Sequence, residues 1–422
     1  MLSFTSLEVS SNTYSAPRRI LIAAPFPPGR NSFHGGSQVI GCLIDELAGI
    51  HSVAVAYLRA SDESPIEAAL AGRCAAVEEV PRPKSKVRYL RLMGAWARGD
   101  PMWVEDWRVP AFRVRLRQLV ERWRPHVMQF EFHTMAQYVD QAKGCCTILV
   151  EHEPGAAAAR DRWQFSGGWR RPILARDLRA WEAFERASLE KFHAVVCFTE
   201  KDRRELSALA PAAHIVVIPP CGPALTGSEV CGRVQANTIL FAGNFIHPPN
   251  VDAAIRLAND IFPRVRARHP EAVLQLVGDA PPASVRRLAG PGVVVTARVP
   301  SMAAFLDAAA MVVAPLRMGG GIRIKVMDAL VFGKPLVATP LAAEGMDLVD
   351  GQDLLLAETD EEFADCISSL LSDASLRQSL SANARAWALR FGKPGRVAEA
   401  FDRLYRSADC IAAGSEKEEH KT

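Results

Sequence analysis

Three glycines, Gly319, Gly320 and Gly321, are followed at once by Arg323 and Lys325 and then by an acid, Asp328. A glycine run bares backbone N–H groups that no Cβ shields. A helix opening near Ile322 would aim the positive end of its dipole at the same point. Arg323 and Lys325 add full charges, and the arginine fork suits phosphate oxygens. Asp328 lies about one helical turn beyond Lys325, where a carboxylate can accept from sugar hydroxyls. Bare amides, cations and an acid, in that order, are the parts that hold a diphosphate and a ribose.

Further candidates stand at the ends of apolar runs. FAGNFIHPPN brings Gly243 and Asn244 to the end of one run, and QFEFHTMAQY brings Glu131 and His133 to the end of another, where they can line an acceptor pocket. VEHEP places His152 just past a third. Gly35 and Gly36 open a helical pattern, so a substrate can approach its backbone closely.

The elements that must position these residues recur in a βα rhythm. Strand-like runs at 18–24, 52–58, 126–130, 147–150, 194–198 and 215–218 alternate with helical patterns. IPPCGPALTGSEV reads as a linker, and a second α/β series starts at Thr238 with TILFAG and continues through VLQLVG, VVVTARV, MVVAPL and PLVAT. Asn250 is expected to cap its helix. The fold class is therefore α/β, with two facing Rossmann-like domains, ligands at the carboxyl ends of the strands in the cleft between them, and a C-terminal helical segment. The expected division is 18–220 for the acceptor-binding domain, 221–236 for the linker and 237–385 for the donor-binding domain. A helix over 386–408 is expected to pack back on the first domain, with a disordered tail over 409–422.

The stretch from Pro315 to Glu344 resembles the donor site of the group 1, or family 4, retaining glycosyltransferases of GT-B fold. Lys325, Asp328, Ala329-Leu330 and the run Gly333-Lys334-Pro335-Leu336-Val337-Ala338-Thr339 match that pattern in order. The resemblance covers most of the chain from Arg19 to about Arg406. It implies transfer of a sugar, with retention, from a nucleotide-sugar to a glycan, lipid or small-molecule acceptor in a polysaccharide or glycoconjugate pathway. It places Gly243 and Asn244 by the donor phosphates, Arg298 and Val299 by the nucleobase, and His152 in the cleft beside the reacting sugar. Arg323 and Lys325 would stabilise the departing diphosphate. That leaves no need for a metal or cofactor, the nucleotide-sugar being a substrate. The chain departs from the pattern in two places. The position eight before Asp328, where many members carry a glutamate, is Gly320, and the usual cations after Gly243 are missing. Two alternatives stay open: an epimerase of the same fold, and a catalytically silent glycan- or nucleotide-binding module.

Composition sets outer bounds. The chain has 422 residues, 49% apolar and 23% charged, with a formal net charge of +3. That suits two or three globular domains, while the net charge by itself excludes no class of partner; no nucleic-acid partner is expected. Nine cysteines without a CxxC pair suggest a reducing cytoplasm and no disulfide framework. The start lacks the apolar core of a signal peptide, and no apolar run has the length to cross a membrane. Between Pro81 and Arg124, twelve Lys/Arg face four acids among several tryptophans. The plain reading is two or three solvated amphipathic helices. The sharper one is an acceptor region or a peripheral contact with the inner face of the membrane.

Overall fold

The computed structural model describes residues 16–30, 35–82, 87–221, 234–299, 301–321 and 323–407. The proposed tail, most of the proposed linker and Ile322 lie outside the described residues.

Two parallel sheets organise the chain. The first has seven strands: β1 (Arg19–Ala24), β2 (Ser52–Arg59), β3 (Ala76–Pro81), β4 (Val127–Glu131), β5 (Cys146–Glu151), β6 (Ala194–Cys197) and β7 (Ile215–Val217), in the order 3-2-1-4-5-6-7. The second has six: β8 (Gln235–Ala242), β9 (Val273–Val277), β10 (Val293–Val295), β11 (Ala309–Ala314), β12 (Leu336–Ala338) and β13 (Leu355–Leu356), in the order 10-9-8-11-12-13. Every strand pair in both sheets is parallel. Central strands such as RILIAA and AAMVVA are apolar at nearly every position because helices cover both faces. Each sheet reverses its strand order beside its first strand, and ligand crevices open at such switch points.

Each sheet has its own apolar core, the first centred on Ile20–Ala24, Val53–Leu58 and Ile148–Val150, the second on Ile239–Phe241, Leu274–Val277 and Met311–Ala314. The helix Ala374–Phe391 belongs to the second core through Leu380, Ala384 and Trp387. The chain then crosses back at Gly392–Gly395, somewhat later than position 386. The helix Arg396–Arg406 seats Val397, Phe401 and Tyr405 in the first core. Its start is tied there by Arg396 donating to the Pro220 carbonyl at 3.1 Å and by the Ala398 amide donating to Glu46 at 3.1 Å.

The basic segment forms three helices, Arg88–Arg98, Met102–Asp106 and Pro110–Trp123. Much of its positive charge is paired, Arg88 with Asp106 at 2.8 Å and Arg91 with Glu105 at 3.3 Å within the segment, and Arg122 with Glu78 of β3 at 3.2 Å. Its solvent-facing side chains include apolar ones, Tyr89, Leu90 and Met93 of the first helix and Trp103 of the second, beside arginines such as Arg98, Arg115 and Arg122. Among the described residues, no helix is long and apolar enough to cross a membrane. Cys146 is disulfide-bonded, against the expectation drawn from cysteine spacing. Cys74, Cys197, Cys221 and Cys366 are free thiols.

Candidate active site

Between the sheets lies a cleft of about 1980 Å³. Its walls are the loops that leave β5, β8, β9 and β11 together with the helix Gly35–Leu47. Gly243 and Gly278, at the ends of the adjacent strands β8 and β9, lie close enough that a Cβ on Gly278 would stand 1.7 Å from the Gly243 carbonyl oxygen. Only glycine allows these loops to run so near each other.

Lys325 sits in the first turn of the helix Ile324–Val331. Its ammonium donates to the Asn250 side-chain oxygen at 2.5 Å and stands 4.6 Å over the Phe241 ring. Burial pushes its pKa down to about 7, with neighbouring Arg323 pushing the same way. Among the described residues no carboxylate counters that burial. Asp328, on the same helix, is pushed up to about 7 by burial. A partly buried ammonium at the cleft wall with no carboxylate partner is poised for an anion to enter.

Arg323 is differently placed. Its guanidinium donates to the Gly320 carbonyl, and Glu153, Asp202, Glu344 and Asp161 surround it with negative charge. The same acids hold the glycine loop. The Gly319 amide donates to Asp161 at 2.6 Å and the Gly320 amide to Glu153 at 2.9 Å, while the Gly321 amide donates to Asp202. Asp202 is buried and pushed up to about 6, chiefly by that burial. Gly319 and Gly321 have φ of 110° and 69°, and a Cβ on Gly321 would lie 2.1 Å from the His152 carbonyl oxygen. Thus the loop is where the two lobes meet. Gly35 meets the second lobe as closely, since its Cβ would lie 2.8 Å from an Ile324 carbon.

His152 faces the cleft from the loop after β5. Its Nε2 donates to Glu131 Oε2 at 2.7 Å. The Phe132 ring stacks on the imidazole, with centroids 3.9 Å apart and planes 9° from parallel, and Phe198 packs edge-on at 4.9 Å.

Residues 236–373 match the family model for glycosyl transferases group 1, and residues 35–221 match that for a glycosyl transferase 4-like domain. The chain belongs to the group 1 glycosyltransferases. No curated protein matches it. Solved structures agree on the GT-B fold. Sucrose-phosphate synthase from Thermosynechococcus elongatus is 16% identical with a TM-score of 0.68, over 94% of this chain and 100% of its own. HepE from Anabaena, solved with UDP and glucose, is 12% identical at 0.64, over 92% and 100%. WaaG, a glycosyltransferase involved in lipopolysaccharide biosynthesis, is 15% identical at 0.64, over 92% and 100%.

In this glycosyltransferase the cleft brings together most of the residues singled out from sequence. His152, Arg323, Lys325 and Asp328 line it, with Gly35, Gly36, Gly243, Asn244, Arg298, Val299, Gly319 and Gly320. Arg298 lies within 3.6 Å of Asp279 and its side chain is largely exposed. Three expectations need correction. Glu131 and His133 are buried behind the wall and do not line the cavity: Glu131 lies under His152, and the His133 Nδ1 faces the Glu153 carbonyl at 3.0 Å. A strand covered on both faces gives no alternation to show which end residue turns outward. The glycine loop is also not a bare cradle, because carboxylates of the first lobe already take its amides. Asn250 does not cap its helix either. It lies inside the helix Pro248–Arg256 and bridges the Asn244 carbonyl to Lys325. Glu153, Asp161, Asp202 and Asn250 were missed from sequence. For Glu153 alone there was a local signal, its place beside His152.

Proposed function

We propose that the protein transfers a sugar, with retention, from a nucleotide-sugar to a glycan, lipid or small-molecule acceptor. The observation that carries this reading is Lys325, a desolvated ammonium at the floor of a large cleft with His152 in the opposite wall. The diphosphate binds against Lys325, with the ribose towards Asp328 and the base along Arg298 and Val299. As the bond to the anomeric carbon lengthens, negative charge grows on the leaving phosphate, and a preorganised cation stabilises that charge more than the ground state. The leaving diphosphate takes the acceptor proton on the same face, so no protein nucleophile is required. His152 donates to or accepts from a hydroxyl of the transferring sugar. Arg323 holds the surrounding acids and adds positive potential, and these cations do the work that a divalent metal does in other transferases. Tyr89, Leu90, Met93 and Trp103 offer an apolar face for peripheral contact with the cytoplasmic side of a membrane, which suits a lipid-linked acceptor in polysaccharide synthesis.

A thermal-shift series with UDP-, GDP- and ADP-sugars tests the reading. A ligand that binds only the folded state raises Tm, and at a hundredfold excess over Kd the gain is about 2.7 kcal/mol. One of the three is expected to shift the protein, and no shift with any overturns the proposal.

Nucleotide affinity also carries a pH signature. A lysine titrating at about 7 is charged below that pH and neutral above it. Affinity of the free protein for the donor's nucleoside diphosphate should therefore fall as pH rises from 6 to 8.5. Lys325→Arg stays charged throughout and should flatten the curve. Calorimetric titration at several pH values reads both, and a wild-type affinity that rises over this range would contradict the assignment.

A further inference from the structure

Four polar side chains form one chain of hydrogen bonds through the interior of the first lobe. The Tyr405 hydroxyl donates to Gln129 Oε1 at 2.5 Å, and Gln129 Nε2 donates to Glu131 Oε1 at 2.5 Å. Glu131 Oε2 then accepts from His152 Nε2 at 2.7 Å. Tyr405, Gln129 and Glu131 are all 0% exposed. These three are shut off from the cleft that His152 faces, so their donors and acceptors are satisfied within the chain. One proton assignment does so. The phenol gives a hydrogen to the amide oxygen, the amide nitrogen gives one to the carboxylate, and the carboxylate can only accept. That places a hydrogen on His152 Nε2, which in the neutral ring is the Nε2–H tautomer, and turns Nδ1 away from the carboxylate.

The neighbouring backbone serves the same end. Phe132 has φ 69° and ψ 145°, a conformation that costs a side-chain-bearing residue of the order of 1–3 kcal/mol. In that conformation Glu131 reaches the imidazole edge while the Phe132 ring covers its face at 3.9 Å. Strain of this kind persists only where the surroundings over-determine it. Tyr405 comes from the helix Arg396–Arg406, which enters the first lobe only after the chain has completed the second.

From this we infer that Glu131, Gln129 and Tyr405 are positioning residues that fix the tautomer and ring orientation of His152, so that seating of the C-terminal helix sets the cleft histidine. The inference rests on the transferase reading for its effect on turnover, but the state of the ring can be read without turnover. Histidine-selective 15N NMR distinguishes Nε2–H from Nδ1–H, with the His152 signal assigned by its loss in His152→Gln. The wild type should show Nε2–H. Glu131→Gln offers an amide in place of a pure acceptor and should shift the ring towards Nδ1–H, with kcat down about 10–100-fold and donor KM little changed. Tyr405→Phe removes one oxygen, keeps the ring in the core and should lower kcat about 3–10-fold. Should Glu131→Gln fail to fold, Tyr405→Phe carries the test through a changed His152 signal. An unchanged signal in the folded variants, or wild-type kcat in both, overturns the relay. If the signals respond but the wild type turns over no nucleotide-sugar, the transferase reading falls and the relay stands.

Discussion

Lys325→Ala is expected to lower kcat by about 10²–10³-fold, the loss seen when one preorganised stabiliser of developing negative charge is removed. The folded protein should survive the change. The Lys325 ammonium is kept out of water with an amide oxygen and an aromatic face for company, and burial depresses its pKa. Its removal relieves a desolvated charge, so Tm without nucleotide should stay level or rise. Falling activity with unfallen Tm is a pattern that a structural lysine would not give. The counterpart Arg323→Ala should behave otherwise, since Arg323 balances Glu153, Asp161, Asp202 and Glu344 and its loss leaves four acids facing one another. Steady-state kinetics beside thermal melts of the two variants separate the roles, and full turnover in Lys325→Ala would remove the phosphate assignment.

Gly321→Ala should impair the enzyme by a different route. The position has φ 69°, where a Cβ costs about 1–2 kcal/mol. The added carbon would also stand 2.1 Å from the His152 carbonyl, a backbone atom that cannot swing aside. The lobes must part locally, which moves His152 relative to Lys325. Misplacement by about 1 Å can cost 10²-fold in rate. The nucleotide contacts proposed above lie within the second lobe, so affinity for the nucleoside diphosphate should be retained while kcat falls about 10²-fold. Calorimetry and kinetics on one preparation check this, and loss of nucleotide affinity in step with kcat would show that the loop itself holds the donor.

The half of the cleft proposed to hold the donor was legible in sequence because its parts are contiguous. Glycines, cations and Asp328 fall within ten residues, and the strands feeding them are apolar throughout. His152 was visible as a polar residue closing such a run. What stayed hidden depends on distance or on shape. The carboxylates that grip the glycine loop come from the other lobe, and Tyr405 reaches Gln129 across 276 residues. β3 and β13 escaped notice for local reasons: AVEEVP is an edge strand with charges inside it, and β13 is only two residues long. Glu131 was rightly placed at a strand end, but only packing decides that it turns inward to a histidine.

The return of the C-terminal helix also bears on the order in which the protein is built. The second lobe closes its apolar core with residues that leave the ribosome in sequence, up to Phe391. The first lobe is made earlier, yet it lacks Val397, Phe401, Leu404 and Tyr405 until the whole second lobe has been synthesised. Domains ordinarily mature from the N-terminus onward. Here the lobe synthesised first is the last to be finished, and until then it carries an unfilled apolar slot that chaperones or neighbouring nascent chains can find.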